Sequence, residues 1–253
     1  MVRKIIISGC NGHMGRVVES ICSADPEVTV VAGFDVNQAS RDYPVYVSPA
    51  NFTGEADAII DFSSPAALDG LLSFAIERKV PLVLATTGYS PEQLEQIQEA
   101  SKSVAIFRSA NMSLGINVLL ELVKKASAVL GDSYDIEIVE KHHNRKVDAP
   151  SGTALMIADA AASALNFEPE YVYERHSVRQ SRDKKEIGIS AMRGGTIVGV
   201  HEIMFAGRDE IIEIKHTAMS REIFANGAVK AAKFLAEVSK PGMYDMSMLV
   251  ERN

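Results

Sequence analysis

Apolar residues follow two rhythms along this chain. Short unbroken runs lie at residues 4–8, Val28–Phe34, 56–62, 81–85 and 104–107. Each is shorter than an ordinary helix and rich in β-branched or aliphatic residues, so each predicts a strand. Between them, apolar residues recur three and four apart. That spacing predicts helices from about Met14, over 65–78 and over 91–101. Strand and helix in alternation predict a parallel sheet covered by helices on both faces. The rhythm changes after Asn111. An amphipathic helix is expected at 116–130, and an alternating, half-buried strand at 134–139. An Ala-rich helix follows over 153–165, then a polar, irregular stretch at 166–185. Residues 187–192, 196–205 and 210–215 read as successive strands with no helix between them. This predicts a second, α+β domain with a mostly antiparallel sheet. A last helix, at 224–238, is apolar on one face.

Composition narrows the picture. The 253 residues suit one large domain or two modest ones. A hydrophobic share of 47% and a charged share of 23% are those of an ordinary globular chain. The formal net charge of -7 disfavours nonspecific nucleic-acid binding, which needs a positive surface to displace counterions. No apolar run approaches the length of a bilayer crossing. The N-terminal segment makes a poor signal peptide. The two cysteines, Cys10 and Cys22, do not form a disulfide framework. A cytoplasmic location is expected, with neither nucleic acid nor membrane as partner.

The first strand leads into Gly9, Cys10, Asn11, Gly12, His13, Met14 and Gly15. The spacing G-x-x-G-x-x-G is one residue longer than the common dinucleotide fingerprint, but the mechanics are shared. Glycine lets the main chain turn tightly and approach a pyrophosphate, and the helix start offers N–H groups and a positive dipole end. Asp35 closes the second strand, where an acidic side chain can accept from the adenosine ribose hydroxyls. The expected fold class is therefore α/β, with a Rossmann-like, doubly wound parallel sheet domain. Val36 follows Asp35, so no adjacent arginine is available for a 2′-phosphate, which tilts the reading towards NADH over NADPH. Arg16, in the first helical turn, could contact phosphate, and a loop might bring in Arg41. Ala85, Thr86, Thr87 and Gly88 follow the fourth strand; Ser109, Ala110, Asn111 and Met112 follow the fifth. In an open parallel sheet ligands lie beyond the carboxyl ends of the strands. Position alone leaves cofactor contact and ordinary loop chemistry equal for these two segments.

Residues 140–154, Glu-Lys-His-His-Asn-Arg-Lys-Val-Asp-Ala-Pro-Ser-Gly-Thr-Ala, concentrate cations in an acidic chain. Pro150 disfavours helix at Ala149, so a strand should end near Glu140 and a loop should carry His142, His143 and Lys146. A helix should begin near Thr153, with Ser151 and Thr153 as candidate N-caps. The N–H groups of Ser151, Gly152 and Thr153 would then form a seat for a phosphate or carboxylate. Asp148 can cap the turn or pair with Lys146. Adjacent imidazoles point in different directions and lack a third ligand nearby, so no metal is expected. His176, His201 and His216 read as structural or solvent-exposed.

The segment from His142 to Ala154 resembles the signature of the dihydrodipicolinate reductase family. The resemblance spans nearly the whole chain. It includes Gly9 to Gly15, Asp61-Phe-Ser63, Thr86-Thr-Gly88, Ala110-Asn-Met112, Arg193-Gly-Gly195 and Phe224-Ala-Asn-Gly227. It implies an NAD(P)H-dependent reduction of 4-hydroxy-tetrahydrodipicolinate to tetrahydrodipicolinate, a step of diaminopimelate and lysine biosynthesis. Gly9 to Met14 and Asp35 would bind the dinucleotide. Ala85 to Thr87 and Ser109 to Met112 would line its nicotinamide end. His142 and Lys146 would be the acid–base pair, with Lys146 the proton donor. Lysine's ordinary pKa, about 10.4, suits that role at neutral pH. His143, Gly152 and Thr153 would hold the carboxylates of a small dicarboxylate substrate. Ala85 stands where many members carry glycine, and Val36 where some carry arginine. The resemblance also implies that residues 1–112 and 222–253 form the dinucleotide domain. Residues 113–221 would be an inserted domain for substrate and oligomerisation, in a homotetramer, with hinges near Ser113 and Glu222. Two other readings stay open: a related amino-acid-semialdehyde dehydrogenase, and a non-catalytic NAD-sensing protein.

Overall fold

A computed structural model describes residues 2–251. The chain begins with β1 (Arg3–Ser8), α1 (His13–Ala24), β2 (Val28–Phe34), β3 (Val45–Tyr46) and β4 (Ala58–Asp61). It continues with α2 (Leu68–Arg78), β5 (Leu82–Leu84), α3 (Pro91–Ala100) and β6 (Ala105–Arg108). Next come α4 (Leu114–Leu130), β7 (Asp135–His142), α5 (Gly152–Ala162), β8 (Glu170–Val172), β9 (Glu186–Arg193), β10 (Gly199–Ala206) and β11 (Ile211–Ala218). The described chain closes with α6 (Glu222–Leu235), β12 (Gly242–Tyr244) and α7 (Met246–Glu251). It divides into two compact units. One holds the residues up to Leu114 and those from Glu222 on; the other is Gly115–Arg221.

The first unit is a seven-stranded sheet in the order β12-β6-β5-β4-β1-β2-β3, and every pairing is parallel. Its short strands are apolar at successive positions because both faces are covered. Ile5, Ile7, Ile60, Val83 and Phe107 face a core shared with α1, α6 and α7. Ile6, Ile59, Leu82, Leu84 and Ile106 face the opposite core, with α2 and α3. Consecutive residues thus serve opposite layers, as the two-residue period of a strand requires. Because all strands run the same way, their carboxyl ends share one edge. Ser8, Phe34, Asp61, Leu84 and Arg108 end their strands there.

The second unit is a five-stranded sheet in the order β11-β10-β7-β9-β8. Ile136, Ile138, Ile187, Ile189, Ile203 and Phe205 pack one face against Leu119 and Val123 of α4 and Ile157 of α5. The expected mostly antiparallel sheet is in fact mixed. β10 pairs antiparallel with β7 and β11, whereas β9 pairs parallel with β7 and β8. β7 reaches β9 through α5, and a crossover through a helix brings strands back parallel. β9 and β10, consecutive in the chain, are separated in space by β7.

Candidate functional site

The glycine loop is built by close approach. Gly9 has φ +77°, and a Cβ there would stand 2.6 Å from Phe62 O. A Cβ on Gly15 would stand 2.1 Å from Gly9 O, so only glycine lets α1 sit so close to the turn before it. Gly9 N–H donates to Phe34 O at 2.8 Å and Gly12 N–H to Gly9 O at 3.0 Å. Gly12 is the N-cap of α1 and offers no side-chain cap. The helix start thus keeps its anion-binding character. His13 is exposed beside it, and Met14 is half-buried.

Asp35 is tied to this loop. One carboxylate oxygen accepts from Asn11 N–H at 2.9 Å, the other from Asn37 N–H at 2.8 Å. Asn11 Nδ2 donates to Asn37 O at 2.6 Å. Arg41 does not reach outward. It donates to Asn11 Oδ1 at 2.8 Å and pairs with Glu19 at 3.0 Å, bracing the loop from behind. A cavity of about 640 Å³ opens here, lined by Gly9, Gly12, Asp35, Ser63 and Ala66 among others. A capless helix start, a main chain bare of side chains at Gly9, Gly12 and Gly15, and a carboxylate at the next strand end fit a dinucleotide.

Ala85, Thr86 and Thr87 leave β5 on the same edge, with Ala85 N–H donating to Asp61 O at 3.0 Å. Ser109 to Met112 leave β6, where Ser109 Oγ donates to Asn111 O at 3.1 Å and Ser113 N–H to Asn111 Oδ1 at 2.9 Å. Ala110 is exposed in this turn. Cys10 and Met112, grouped with the cofactor residues by position, have their side chains in the core, so only their main chain is available. Burial pushes the Cys10 thiol up to about 11 and the Cys22 thiol up to about 12. Neither is a nucleophile at neutral pH. Asp61, fully buried, accepts from Ser63 Oγ at 2.5 Å and from Tyr89 Oη at 3.3 Å, which holds the ends of β4 and β5 together.

In the second unit β7 runs on to His142, two residues beyond the expected end. The loop that follows carries His143 and Lys146, and Ser151 caps α5 through Ala154 N–H, which donates to Ser151 Oγ at 3.1 Å. Glu140 lies beneath this loop, fully buried. Its carboxylate meets His142 Nδ1 at 2.6 Å, the Arg193 guanidinium at 2.7 and 2.8 Å, and Ser151 N–H at 3.0 Å. Burial by itself would raise the Glu140 carboxyl. Hydrogen bonds from Arg193, His142 and Ser151 outweigh it and hold the group below the usual range. Ser151 Oγ also meets His201 Nε2 at 2.8 Å, and the His142 and His201 rings lie edge to face at 5.1 Å. Burial, then the neighbouring His142, push His201 down to about 4.

One expectation needs correction here. Ser151 was grouped with the anion-seat donors, but its N–H is taken by Glu140 and its side chain is 3% exposed. Ser151 therefore braces the loop and the start of α5. Lys146 Nζ lies 2.8 Å from both oxygens of Asp148. His143 Nδ1 is buried without a partner. Desolvation, then Arg145 and Arg221, lower its pKa, so the ring is held neutral. No group of three or more His, Cys, Asp or Glu that could hold a metal occurs among the described residues.

Sequence reasoning gave Glu140 and Arg193 no role and left His201 as structural. The register explains why. Glu140 of β7 is the register partner of His201 on β10, and His142 of β7 that of Arg193 on β9. These neighbours are 61 and 51 positions apart in the chain, and only the strand order brings them together.

A glycine loop at the carboxyl edge of a parallel sheet, with an acidic residue ending the next strand, marks a dinucleotide-binding unit. An imidazole–ammonium cluster in a separate unit makes the class a two-unit, nicotinamide-dependent oxidoreductase. The chain belongs to the dihydrodipicolinate reductase family. Residues 3–112 match the model of the family's N-terminus and residues 115–250 that of its C-terminus. Over 252 residues it is 55% identical to the 4-hydroxy-tetrahydrodipicolinate reductase of Caldanaerobacter subterraneus subsp. tengcongensis, with 100% of each chain covered. It is 51% identical to that of Clostridium tetani, covering 99% of this chain and 97% of the relative. A solved structure, a dipicolinate-bound dihydrodipicolinate reductase from Paenisporosarcina sp. TG-14, shares the fold with a TM-score of 0.82 at 22% identity. The match covers 97% of this chain and 98% of that one. The family binds a nicotinamide cofactor.

Proposed function

We propose that the chain reduces 4-hydroxy-tetrahydrodipicolinate to tetrahydrodipicolinate, the activity for which its curated relatives are named, as a step of diaminopimelate and lysine biosynthesis in the cytoplasm. The observation that carries this reading is the concentration of Lys141, Arg145 and Lys146 beside His142 and His143 before α5, in a chain of net charge -7. A dicarboxylate accounts for that local concentration of cations. The main chain of Gly152 and Thr153 and the imidazole of His143 hold its carboxylates. When bound, reduced nicotinamide would supply hydride to the ring carbon left unsaturated once the 4-hydroxyl has departed as water. Lys146 donates the proton and stabilises the charge that develops there, with His142 the second member of the acid–base pair.

On the cofactor side, Gly9, Asn11, Gly12, His13, Met14 and Gly15 surround the pyrophosphate, with Cys10 taking part through its main chain. Asp35 accepts from the adenosine ribose. Ala85, Thr86 and Thr87, with Ser109, Ala110, Asn111 and Met112, border the nicotinamide end. NADH is mildly favoured over NADPH, because Val36, 87% exposed, stands where a cation would meet a 2′-phosphate. No step calls on a metal. A homotetramer assembled through the second unit's sheet is supported by Ile211 of β11, 59% exposed on the sheet face away from α4 and α5. The semialdehyde-dehydrogenase reading loses ground, since neither buried thiol can act as its nucleophile.

The test is an assay of reduced-nicotinamide absorbance on adding enzymatically prepared substrate. Oxidation of NADH, and more slowly of NADPH, is expected. Oxidation of neither overturns the reading.

A further inference from the structure

The Glu140 carboxylate is wholly enclosed, yet it is not part of any reacting pair described so far. Its four contacts, from three residues, decide what it does. Oε1 meets Ser151 N–H and one Arg193 nitrogen; Oε2 meets the other Arg193 nitrogen and His142 Nδ1. A peptide N–H and a guanidinium can only donate. The carboxylate is therefore an acceptor on both oxygens. It is also ionised at neutral pH, since Arg193 and the other donors overcome its burial. The fourth contact, at 2.6 Å, must then be a donation from His142 Nδ1–H. That fixes the tautomer and leaves Nε2 as the nitrogen that can take or give a proton to a ligand. Gly199 of β10 lies beside this nitrogen: a Cβ there would stand 3.1 Å from His142 Nε2, tighter than ordinary contact, so glycine spares the ring a small displacement.

Arg193 extends the arrangement. Besides gripping both carboxylate oxygens, it donates to Asp148 O at 2.6 Å. The carboxylate thus orients the imidazole and Ser151 N–H at the head of α5, while the guanidinium holds the carboxylate and the loop that bears Lys146. We propose that Glu140 and Arg193 are positioning residues for His142. Glu140 imposes the Nδ1–H tautomer that presents Nε2 to the substrate, and Arg193 fixes the carboxylate and the Lys146 loop in one frame. This rests on the assignment of His142 to the reaction.

Four measurements separate the possibilities. In the intact protein, imidazole ¹⁵N shifts recorded where His142 is neutral should report the Nδ1–H tautomer; an Nε2–H tautomer overturns the proposal without any variant. In Glu140→Gln the amide oxygen must serve Ser151 N–H and Arg193, so its NH₂ turns to Nδ1 and the tautomer should reverse. Turnover should then fall about 10²-fold, the low end of what a proton-transfer group supplies, with KM changed much less. Arg193→Lys keeps the carboxylate but loses the fork, so the tautomer should persist while turnover falls less than in Glu140→Gln. Finally, Glu140→Gln should cost little further turnover once His142→Gln is present, because both act through one ring. Full additivity overturns the proposal, as does normal turnover in Glu140→Gln alongside an impaired His142→Gln. Normal turnover in His142→Gln alone instead removes the catalytic assignment on which the proposal rests.

Discussion

His201 gives the structure a measurable signature in acid. Its ring is 5% exposed, bonded through Nε2 to Ser151 Oγ and stacked at its edge on His142. Burial and then the nearby His142 take its pKa from 6.5 to about 4. In the unfolded chain the imidazole takes a proton near 6.5; in the folded chain it resists until about 4. Between those values the unfolded state holds more protons, so stability declines as pH falls. The contribution is fully present above 6.5 and lost progressively on going down to 4. Two such titration curves differ by about 2 kcal/mol between roughly pH 7 and pH 5. His201→Gln keeps a group that can bond Ser151 Oγ but cannot titrate. Urea unfolding of both proteins at stepped pH, with m-values checked for constancy, isolates the term. The original protein should lose about 2 kcal/mol more than His201→Gln over that interval. Parallel pH dependences would mean that His201 titrates in the folded chain as it does in the unfolded one, and the description of its surroundings would be wrong.

Other expectations follow from the same geometry. Gly15→Ala would place a methyl 2.1 Å from Gly9 O and 2.7 Å from Cys10 Cα. The loop must move, and NADH affinity read by fluorescence titration should weaken at least about tenfold, or about 1.4 kcal/mol; unchanged affinity would refute the role given to the loop. Lys146→Ala should lower kcat on the order of 10²–10⁴-fold with little change in cofactor affinity, and a variant with ordinary turnover removes Lys146 from the mechanism. Cys10 and Cys22 should resist a thiol-specific disulfide reagent at mildly alkaline pH and react fully in denaturant, because burial keeps both as thiols. Rapid labelling of the native chain would contradict that burial.

Different parts of this molecule were legible in the sequence to different degrees, for physical reasons. The central strands of the first unit announce themselves because residues such as Ile5, Ile6 and Ile7 are buried on both faces and so are all apolar. The glycine loop is legible because close approach excludes side chains at fixed local spacing. β3, β8 and β12 have two or three residues each, too few to show any period. The mixed sheet was missed because direction depends on which strands neighbour one another, and β7 slips between β9 and β10. In the second unit, local chemistry marked the loop from His142 to Thr153. The groups that hold it from below, Glu140 and Arg193 with His201, meet only through strand register. Ser151 shows the limit well. Its residue type suits a helix cap, which local sequence can indicate, but its N–H is claimed by a carboxylate eleven positions earlier.

The central claim is that a dicarboxylate sits at the head of α5 beside Lys146. The most direct measurement is a crystal structure of the protein with pyridine-2,6-dicarboxylate. One carboxylate should lie on the main chain of Gly152 and Thr153, with His143 and the Lys146 ammonium within hydrogen-bond reach of the ligand. A well-ordered ligand bound elsewhere, with that helix start and Lys146 untouched, would contradict it.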